Sequence, residues 1–410
     1  MHDGCRCYII PPHILHHMTS NVEGRIREAA RTTLLTTRML HTQREMYGAL
    51  GLTCLSAGPL HRTVYDARHE QELPGTPVRS EGAAPSSDLP TNEAYDGAGV
   101  TYAFYDQVFH RRSIDDRGMR IDSTVHYREE PDVGYDNAFW NGRQMVYGEG
   151  DQEIFGSFTT SLDVIGHELT HGVTQFECAL IYKKQSGALN ESLSDVFGTM
   201  VKQWHLKQTI DQADWLIGRE LLVPGIQSGS AAPAALRSMK APGTAYNDPR
   251  LGRDPQPDHM RNYQKLAATP AGDNGGVHIN SGIPNRAFYL ACTHLGAPHS
   301  WDQAGPIWYA TLRALHATAT FNDAAKMTAM LAEQQFGADA GKAVRAAWQE
   351  VGVLTGPEIV HVSQLTSLGG APTTAPGVPM VPPPQVPISA IPNAPTGDVV
   401  AAPVEMPTGV

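Results

Sequence analysis

The sequence predicts an α+β protein with a β-rich N-terminal lobe and a helical C-terminal lobe. Apolar residues recur with the 3.6-residue period of a helix in four late segments: 283–295, 307–315, 323–335 and 338–351. Asn322 and Asp323 would cap the third of these helices. Runs rich in β-forming residues occur earlier, at 100–104 and 123–127.

The chain divides into four predicted parts: 1–60, outside the two lobes; 61–180, the β-rich lobe; 181–356, the helical lobe; and 357–410, a tail rich in Pro and Ala. The two central parts together are long enough for two lobes with a cleft between them. The tail cannot bury a core, so we expect it to be disordered or extended as polyproline II.

The motif H-E-x-x-H occupies residues 167–171. Histidines four positions apart lie on one face of a helix, so His167 and His171 can reach one Zn²⁺, with Glu168 beside it as a general base. Ser161 would cap this helix, and Asp163 would add favourable charge to its first turn. The alternative interpretation is a surface helix with two solvated histidines.

A third zinc ligand is expected, because a catalytic zinc has three protein ligands and one open position. The segment 186–198 predicts a helix that carries Glu191 and Asp195 on one face, next to an apolar stripe. Buried carboxylates must be paired or bind a metal. Glu191 would be the ligand, and Asp195 would hold a ligand histidine. A solvated acidic face is the alternative.

These motifs resemble the thermolysin family of zinc endopeptidases. H-E-L-T-H is followed, after nineteen residues, by Glu191 in G-A-L-N-E-S-L-S-D. Other family-like blocks are N-A-F-W-N-G at 137–142, L-R-S-M at 236–239 and D-N-G-G-V-H-I-N-S-G at 273–282. The resemblance implies the two-lobe fold with zinc in the cleft. It also implies a helix followed by a strand over the two β-rich runs, and a β region that begins near 63–66. Residues 70–92 are rich in Gly, Pro, Ser and Glu, so we expect loops there.

The resemblance implies roles for the residues around the metal. His167, His171 and Glu191 would bind zinc, while Glu168 would deprotonate the attacking water and protonate the leaving amine. The other implied roles are as follows: Asp195 orients His167, Asn190 supports His171, His278 and Tyr182 stabilise the oxyanion, Asp273 fixes the tautomer of His278, and Asn137, Ala138 and Arg237 hold the substrate backbone. Each preorganised oxyanion donor contributes roughly 3 kcal/mol.

The resemblance also implies a side-chain pocket with only apolar lining: Phe155, Phe158, Val164, Ile217, Leu221 and Leu236. Such a pocket would accept Leu, Phe, Ile or Val on the carboxyl side of the cut bond. Phe158 is larger than the aliphatic residue expected at its position, so the pocket would be shallower. The alternative is that these side chains belong simply to the core.

The chain departs from thermolysin at the double calcium site near the zinc. Asp163 and Asp214 of that site are retained, whereas Lys202 and Arg219 stand where carboxylates would be. A calcium ion needs about 6–8 oxygen ligands, and cationic side chains inside such a site would repel it. We therefore expect the calcium ions to be lost and replaced by ion pairs of Lys202 and Arg219 with Asp163, Asp214 or Glu220.

The N-terminal segment resembles the short propeptide of protealysin-like members of the family. It contains Pro-Pro-x-x-Leu at 11–15, followed by a predicted helix over 22–39. The resemblance implies a latent precursor in which residues 1–60 act as an intramolecular inhibitor and are cut off near 50–62. A second hypothesis is that the thiolate of Cys5 or Cys7 occupies the open zinc position.

Composition limits the location and the partners. No apolar stretch typical of a signal peptide follows Met1, so we expect a cytoplasmic protein, or one exported without a signal peptide. No run of about 20 apolar residues predicts a membrane span, and five scattered cysteines do not form a disulfide framework. A net charge of −11 argues against nucleic acid. The expected partners are protein or peptide substrates, the chain's own propeptide and a proteinaceous inhibitor.

Two other functions fit parts of the pattern. A zinc aminopeptidase would use similar ligands, but the G-x-M-E-N type of strand that binds a free amine is absent from the sequence. A binding protein that acts through its proline-rich tail would need no intact Glu168, His278 or Tyr182. Cleavage of an N-terminally blocked peptide would separate an endopeptidase from both alternatives.

Overall fold

The computed structural model describes residues 8–49, 60–128 and 133–356, with side chains left undescribed over 37–49. The helices are α1 Pro12–Asn21, α2 Gly24–Ala49, α3 Leu89–Phe109, α4 Leu162–Glu177, α5 Lys184–Leu206, α6 Asp273–Asn280, α7 Gly282–Leu295, α8 Ala304–Ala314, α9 Phe321–Phe336 and α10 Ala338–Glu350. The strands are β1 Arg62–Asp66, β2 Thr76–Ser80, β3 Ile121–Tyr127, β4 Ala138–Trp140, β5 Met145–Gly148, β6 Leu216–Ile217, β7 Arg237–Ser238, β8 Asn247–Asp248 and β9 Gly252–Arg253. The predictions for Cys5, Cys7, the cleavage region at 50–59 and the tail at 357–410 lie outside the described residues.

The first five strands form one mixed sheet in the order β2-β1-β3-β5-β4. The pairs β1–β3 and β3–β5 are parallel, whereas β1–β2 and β4–β5 are antiparallel. The helices from α5 onward follow this sheet in the chain and pack on one another. The predicted α+β fold, β-rich first and helical afterwards, is confirmed.

The β-rich runs show where composition misleads. Residues 100–104 lie in α3, and 123–127 lie in β3, which is the helix-then-strand order that the resemblance implied. The prediction of loops over 70–92 is wrong in two places, because β2 and the start of α3 fall within it. β2 forms by pairing with β1, a partner that its own Gly- and Pro-rich surroundings do not reveal.

Two helix starts also differ from the prediction. The helix α1 was not predicted; proline is favoured at the first helical position, and Pro12 begins α1. In α9 the cap is Thr320 rather than Asn322 or Asp323. Thr320 accepts a hydrogen bond from the backbone of Asp323, whose side chain accepts one from the backbone of Thr320, forming a capping box.

The helices α4 and α5 pack closely enough to share a site between them. A Cβ atom on Gly198 of α5 would lie 2.4 Å from the carbonyl oxygen of Asp163 and 2.9 Å from the backbone nitrogen of His167. Only glycine permits this approach. Ser161 precedes α4 as predicted, but its hydroxyl donates to Asp163 Oδ1 at 2.6 Å instead of capping the helix.

Candidate active site

Three buried side chains meet between α4 and α5. The Nε2 atoms of His167 and His171 lie 3.0 Å apart. The carboxylate of Glu191 lies 3.5 Å from each of these nitrogens, with Oε2 facing His167 and Oε1 facing His171. We call these three residues the ligand cluster; it unites the three predicted zinc ligands.

The tautomers of the two histidines leave lone pairs on both Nε2 atoms, which a metal cation can bind. The Nδ1 atom of His167 lies 2.8 Å from Asp195, and that of His171 lies 2.8 Å from the amide oxygen of Asn190. Because each Nδ1 donates its hydrogen to these acceptors, both Nε2 atoms present lone pairs to one another. Oε2 of Glu191 is buried there with no hydrogen-bond partner among the described residues. Two imidazoles and a carboxylate around such a point are the donor set of a catalytic zinc.

Asp195 is fixed from three sides. Besides His167, it accepts two hydrogen bonds from Arg237, at 2.8 and 2.9 Å, and one from Asn285 at 2.8 Å. Burial raises the pKa of Asp195, but Arg237 and His167 outweigh it and the pKa is lowered. Neither Asn285 nor Ser194, which lies 2.9 Å from His171 Nδ1, was predicted. Ser194 lies on the same helix as Glu191, which was a usable signal, whereas no motif signals Asn285.

Glu168 is buried beside the ligand cluster on α4. Its Oε2 atom accepts a hydrogen bond from the backbone nitrogen of Trp140, at 3.0 Å, so the edge strand β4 positions this carboxylate. The candidate base therefore lies against the same strand that carries Ala138.

His278 and Tyr182 approach the ligand cluster from the other side. The hydroxyl of Tyr182 donates to Oε1 of Glu191 and lies 3.1 Å from Nε2 of His278. Nδ1 of His278 lies 2.6 Å from Asp273. Burial lowers the pKa of His278, but Glu191 and Asp273 outweigh it and raise the pKa to about 9. The charged ring can therefore donate from Nε2 while Asp273 holds Nδ1.

The extended chain before α1 runs through this site. Its backbone makes four hydrogen bonds there: the Tyr8 carbonyl with His278 Nε2 at 3.0 Å, the Ile9 nitrogen with the Ala138 carbonyl at 3.3 Å, the Ile9 carbonyl with Arg237 at 3.2 Å, and the Ile10 nitrogen with Asn137 Oδ1 at 3.0 Å. Every residue that the resemblance assigned to backbone binding thus contacts this segment. The peptide bond between Tyr8 and Ile9 lies where His278, the predicted oxyanion donor, meets the residues that are predicted to bind the substrate backbone.

The six predicted pocket residues are all buried in the main apolar cluster: Phe155, Phe158, Val164, Ile217, Leu221 and Leu236. The rings of Phe155 and Phe158 lie 6.0 Å apart. The strand pair β6–β7 places Leu236 next to Ile217, whose carbonyl accepts its backbone nitrogen at 3.0 Å. Ile9 and Ile10 belong to the same buried cluster.

A cationic side chain lies further along the same helix pair. The Nζ atom of Lys202 lies 3.0 Å from Asp163 and 2.8 and 2.9 Å from the two oxygens of Glu220. We call these three residues the lysine cluster. Burial lowers the pKa of Lys202, but Asp163 and Glu220 outweigh it and the pKa is raised. Arg219 pairs with Asp214 at 3.4 Å nearby.

Comparison with known proteins agrees with this geometry. The model of the thermolysin metallopeptidase catalytic domain matches residues 35–175, and that of the thermolysin metallopeptidase alpha-helical domain matches 178–353. The precursor of protealysin, a metalloproteinase from Serratia proteamaculans, has a similar structure, with a TM-score of 0.74 and 48% identity. The match covers 85% of this chain and all of that one.

Similar sequences carry names that bear on location. An extracellular metalloprotease from Pectobacterium carotovorum subsp. carotovorum is 49% identical over 85% of this chain and 96% of its own. Protease PrtS from a Photorhabdus species is 45% identical over 84% and 91%. The first name, and that of an extracellular minor metalloprotease from Serratia marcescens, contradict the expectation of a cytoplasmic protein. The expectation of a cytoplasmic protein was therefore wrong.

The described helices include none that combines the length and the apolar character of a membrane span. The matched domains cover both predicted lobes, and the relatives are named as proteases. The aminopeptidase and binding-protein alternatives are therefore not favoured. The chain is a metalloendopeptidase and belongs to the thermolysin family.

Proposed function

We propose that this metalloendopeptidase cuts proteins with one zinc ion held by His167, His171 and Glu191, and that it is made as a latent precursor. The facing Nε2 lone pairs of the two histidines, closed on the third side by Glu191, carry this proposal. Zinc supplies Lewis-acid chemistry, because it polarises a carbonyl and lowers the pKa of a water to about 7.

The protein's own residues would perform the proton and charge chemistry. Glu168 takes a proton from the attacking water and gives it to the leaving amine nitrogen as the peptide bond breaks. His278 and Tyr182 donate hydrogen bonds to the carbonyl oxygen as negative charge develops on it. Asp273 keeps His278 oriented, and Asp195 and Asn190 keep the two ligand histidines in the right tautomers.

We propose that residues 1–60 are the propeptide and that it inhibits the enzyme by binding as a substrate does. The carbonyl of Tyr8 meets His278, and the backbone of the next residue, Ile9, is held by Ala138 and Arg237. Ile9 therefore stands on the carboxyl side of the position of cleavage, which supports a preference for Leu, Phe, Ile or Val there. A separate proteinaceous inhibitor of the same cleft stays a prediction.

The mechanism is tested with a Glu168→Ala variant. Casein hydrolysis and removal of the chain's own N-terminal segment should both be lost while bound zinc is retained. Glu333→Ala, a matched change on the exposed face of α9, should leave both reactions intact. Unchanged hydrolysis by the Glu168→Ala variant would overturn the proposed mechanism.

Latency is tested at Ile10, whose backbone nitrogen donates to Asn137. Ile10→Pro removes that donor, so the full-length precursor should become active before any processing. Ile10→Val keeps the nitrogen and should remain latent. N-terminal sequencing of the active form would locate the cut that releases the segment, and products from N-terminally blocked peptides would report the side-chain preference.

Two further properties belong to the proposal. The enzyme would work without the double calcium site, because the ammonium group of Lys202 already pairs with both Asp163 and Glu220. It would act outside the cell, as the names of its relatives suggest.

A further inference from the structure

A second group of metal-binding side chains lies outside the cleft. Among the described residues, only two groups of three His, Cys, Asp or Glu side chains bring ligand atoms within 4.8 Å of one another. One is the ligand cluster, and the other consists of His69, His126 and Glu149. These three come from neighbouring strands: His69 follows β1, His126 lies in β3, and Glu149 follows β5.

The distances in this group are close to those of a metal's ligands. Nδ1 of His126 lies 2.8 Å from Oε1 of Glu149, and Nδ1 of His69 lies 3.1 Å from Oε2. Around a tetrahedral ion with bonds of about 2.0–2.1 Å, neighbouring ligand atoms lie roughly 3.3–3.4 Å apart. The side chain of His69 is 47% exposed, so water can reach an open position.

Neighbouring charged side chains orient His126 and Glu149 by hydrogen bonds, as is typical behind the ligands of a metal. Nε2 of His126 lies 3.2 Å from Asp88, so a carboxylate holds the ring nitrogen that faces away from the group, as Asp195 does for His167. Arg128 donates to Oε2 of Glu149 at 2.9 Å and orients it. Carboxylates behind histidine ligands set the tautomer and ring direction at metal sites.

The backbone is distorted to bring the two histidines together. His69 and His126 both have positive φ, of 62° and 55°. The pairing of β3 with β5 shifts register between Thr124 and Tyr127, around His126, and the nitrogen of His69 donates to the carbonyl of His126 at 3.0 Å. Left-handed conformations of residues other than glycine are unfavourable, and they cluster where a side chain must be aimed.

We propose that His69, His126 and Glu149 form a second metal site, which binds a divalent transition metal of the zinc class. Imidazole and carboxylate donors suit zinc rather than calcium or magnesium. The ion would link β1, β3 and β5 at one end of the sheet and so stabilise the wall whose edge strand, β4, contacts Glu168. In its absence, the same side chains form an ion-pair network in which a proton occupies His126.

Zinc stoichiometry tests the site directly. The purified full chain and its His69→Ala variant would be equilibrated with micromolar free zinc, and the bound zinc counted by mass spectrometry. His69→Ala should bind one equivalent fewer than the unaltered protein, and added zinc should raise the melting temperature of the unaltered protein more than that of the variant. Glu149→Gln, which keeps the shape of the side chain, should give the same deficit.

His299→Ala is the matched control, since His299 also faces a single carboxylate, Asp302 at 3.1 Å, but has no third ligand. This control should bind as much zinc as the unaltered protein. Equal zinc content in the His69→Ala and unaltered proteins would overturn the second site and leave an ion-pair network only. Peptide hydrolysis, measured on each protein after its N-terminal segment has been removed, should be unchanged by His69→Ala, so failure of the cleft mechanism and failure of this site are distinguishable.

Discussion

Two side-chain clusters at the helix pair α4–α5 balance their charges differently: the buried ligand cluster, and the lysine cluster, whose Glu220 is 38% exposed and lies outside both helices. In the lysine cluster an ammonium group belongs to the chain and lies within 3.0 Å of both Asp163 and Glu220. In the ligand cluster the same two helices turn lone pairs and a carboxylate toward a shared point with no cationic side chain among them. One site has its cation built in, and the other must recruit one. On the proposed function, the difference separates a structural role from a catalytic one, because a zinc ion with three protein ligands leaves a position open for substrate.

The largest expected effect is the loss of peptide hydrolysis when the proposed zinc ion is removed. A zinc-selective chelator should reduce peptide hydrolysis by about a thousandfold or more, since the ion supplies several kcal/mol of charge stabilisation. Added zinc should restore the rate. A calcium-selective chelator should change neither the rate nor the melting temperature. A clear stabilisation by millimolar calcium would contradict the assignment of Lys202 as the replacement for calcium.

The next largest effect is on the free energy of unfolding when Lys202, the cation of the lysine cluster, is replaced. Lys202→Met leaves Asp163 buried without its cation, and breaking a buried pair in this way costs about 3–5 kcal/mol of unfolding free energy. Urea denaturation of the latent Glu168→Ala form measures it. Lys342→Met removes an exposed lysine paired with Asp339 at 2.8 Å and should hardly move the midpoint. A Lys202→Met protein as stable as that control would show that the lysine cluster is not needed for stability.

Asp136 is a buried carboxylate outside both clusters, and no cationic side chain of the described residues forms an ion pair with it. Neither oxygen of Asp136 has a hydrogen-bond partner among the described residues, and its backbone nitrogen donates to the hydroxyl oxygen of Thr33 at 3.0 Å. Burial first, and then Asp151, raises the pKa of Asp136 well above 3.8. The folded precursor therefore binds this proton more tightly than the unfolded chain, and the associated stability is present below pH 3.8 and lost as pH rises above it.

Asp136→Asn should remove this loss of unfolding free energy at higher pH, because asparagine does not titrate. At about pH 4 the variant and the parent should have similar unfolding free energies, whereas at pH 7 the variant should be more stable by about 1–3 kcal/mol. Urea titrations of the latent form at both pH values provide the measurement. A variant that is less stable than the parent at pH 7 would mean that the carboxylate is paired in solution.

The smallest expected effect distinguishes Asp195, which orients a predicted zinc ligand, from Asp273, which orients the predicted oxyanion donor His278. Asp195→Asn should weaken zinc binding about 10–100-fold, because it loosens His167. Asp273→Asn touches His278 instead, and should lower kcat while leaving zinc affinity unchanged. Zinc competition with a chelating dye, together with steady-state kinetics, tests both. Equal losses of zinc affinity in the two variants would remove the distinction.

The sequence predicts which side chains lie together where helix geometry alone decides their position. His167 and His171 share one face of α4, and Glu191 and Asp195 share one face of α5. The packing of these two helices brings the four side chains together. The prediction failed where partners come from distant parts of the chain. Asn285 reaches Asp195 across ninety positions, and no local pattern marks it.

The N-terminal segment and the second histidine group show the same limit. The helix α1 was not predicted, although Pro12 occupies the first helical position, where proline is favoured. His69 and His126 carry no motif, and they meet only because β1 and β3 pair in parallel within the sheet. The predicted location was wrong as well, since it was drawn from composition while the relatives are named as extracellular proteases.

Anomalous X-ray diffraction at the zinc edge tests the central contrast most directly. Crystals of the Glu168→Ala full chain, grown with both zinc and calcium, should show a strong zinc peak between Nε2 of His167, Nε2 of His171 and the carboxylate of Glu191. No metal should lie beside Lys202, whose ammonium group should remain against Asp163. The absence of the zinc peak, or a calcium ion in place of that ammonium group, would contradict the account.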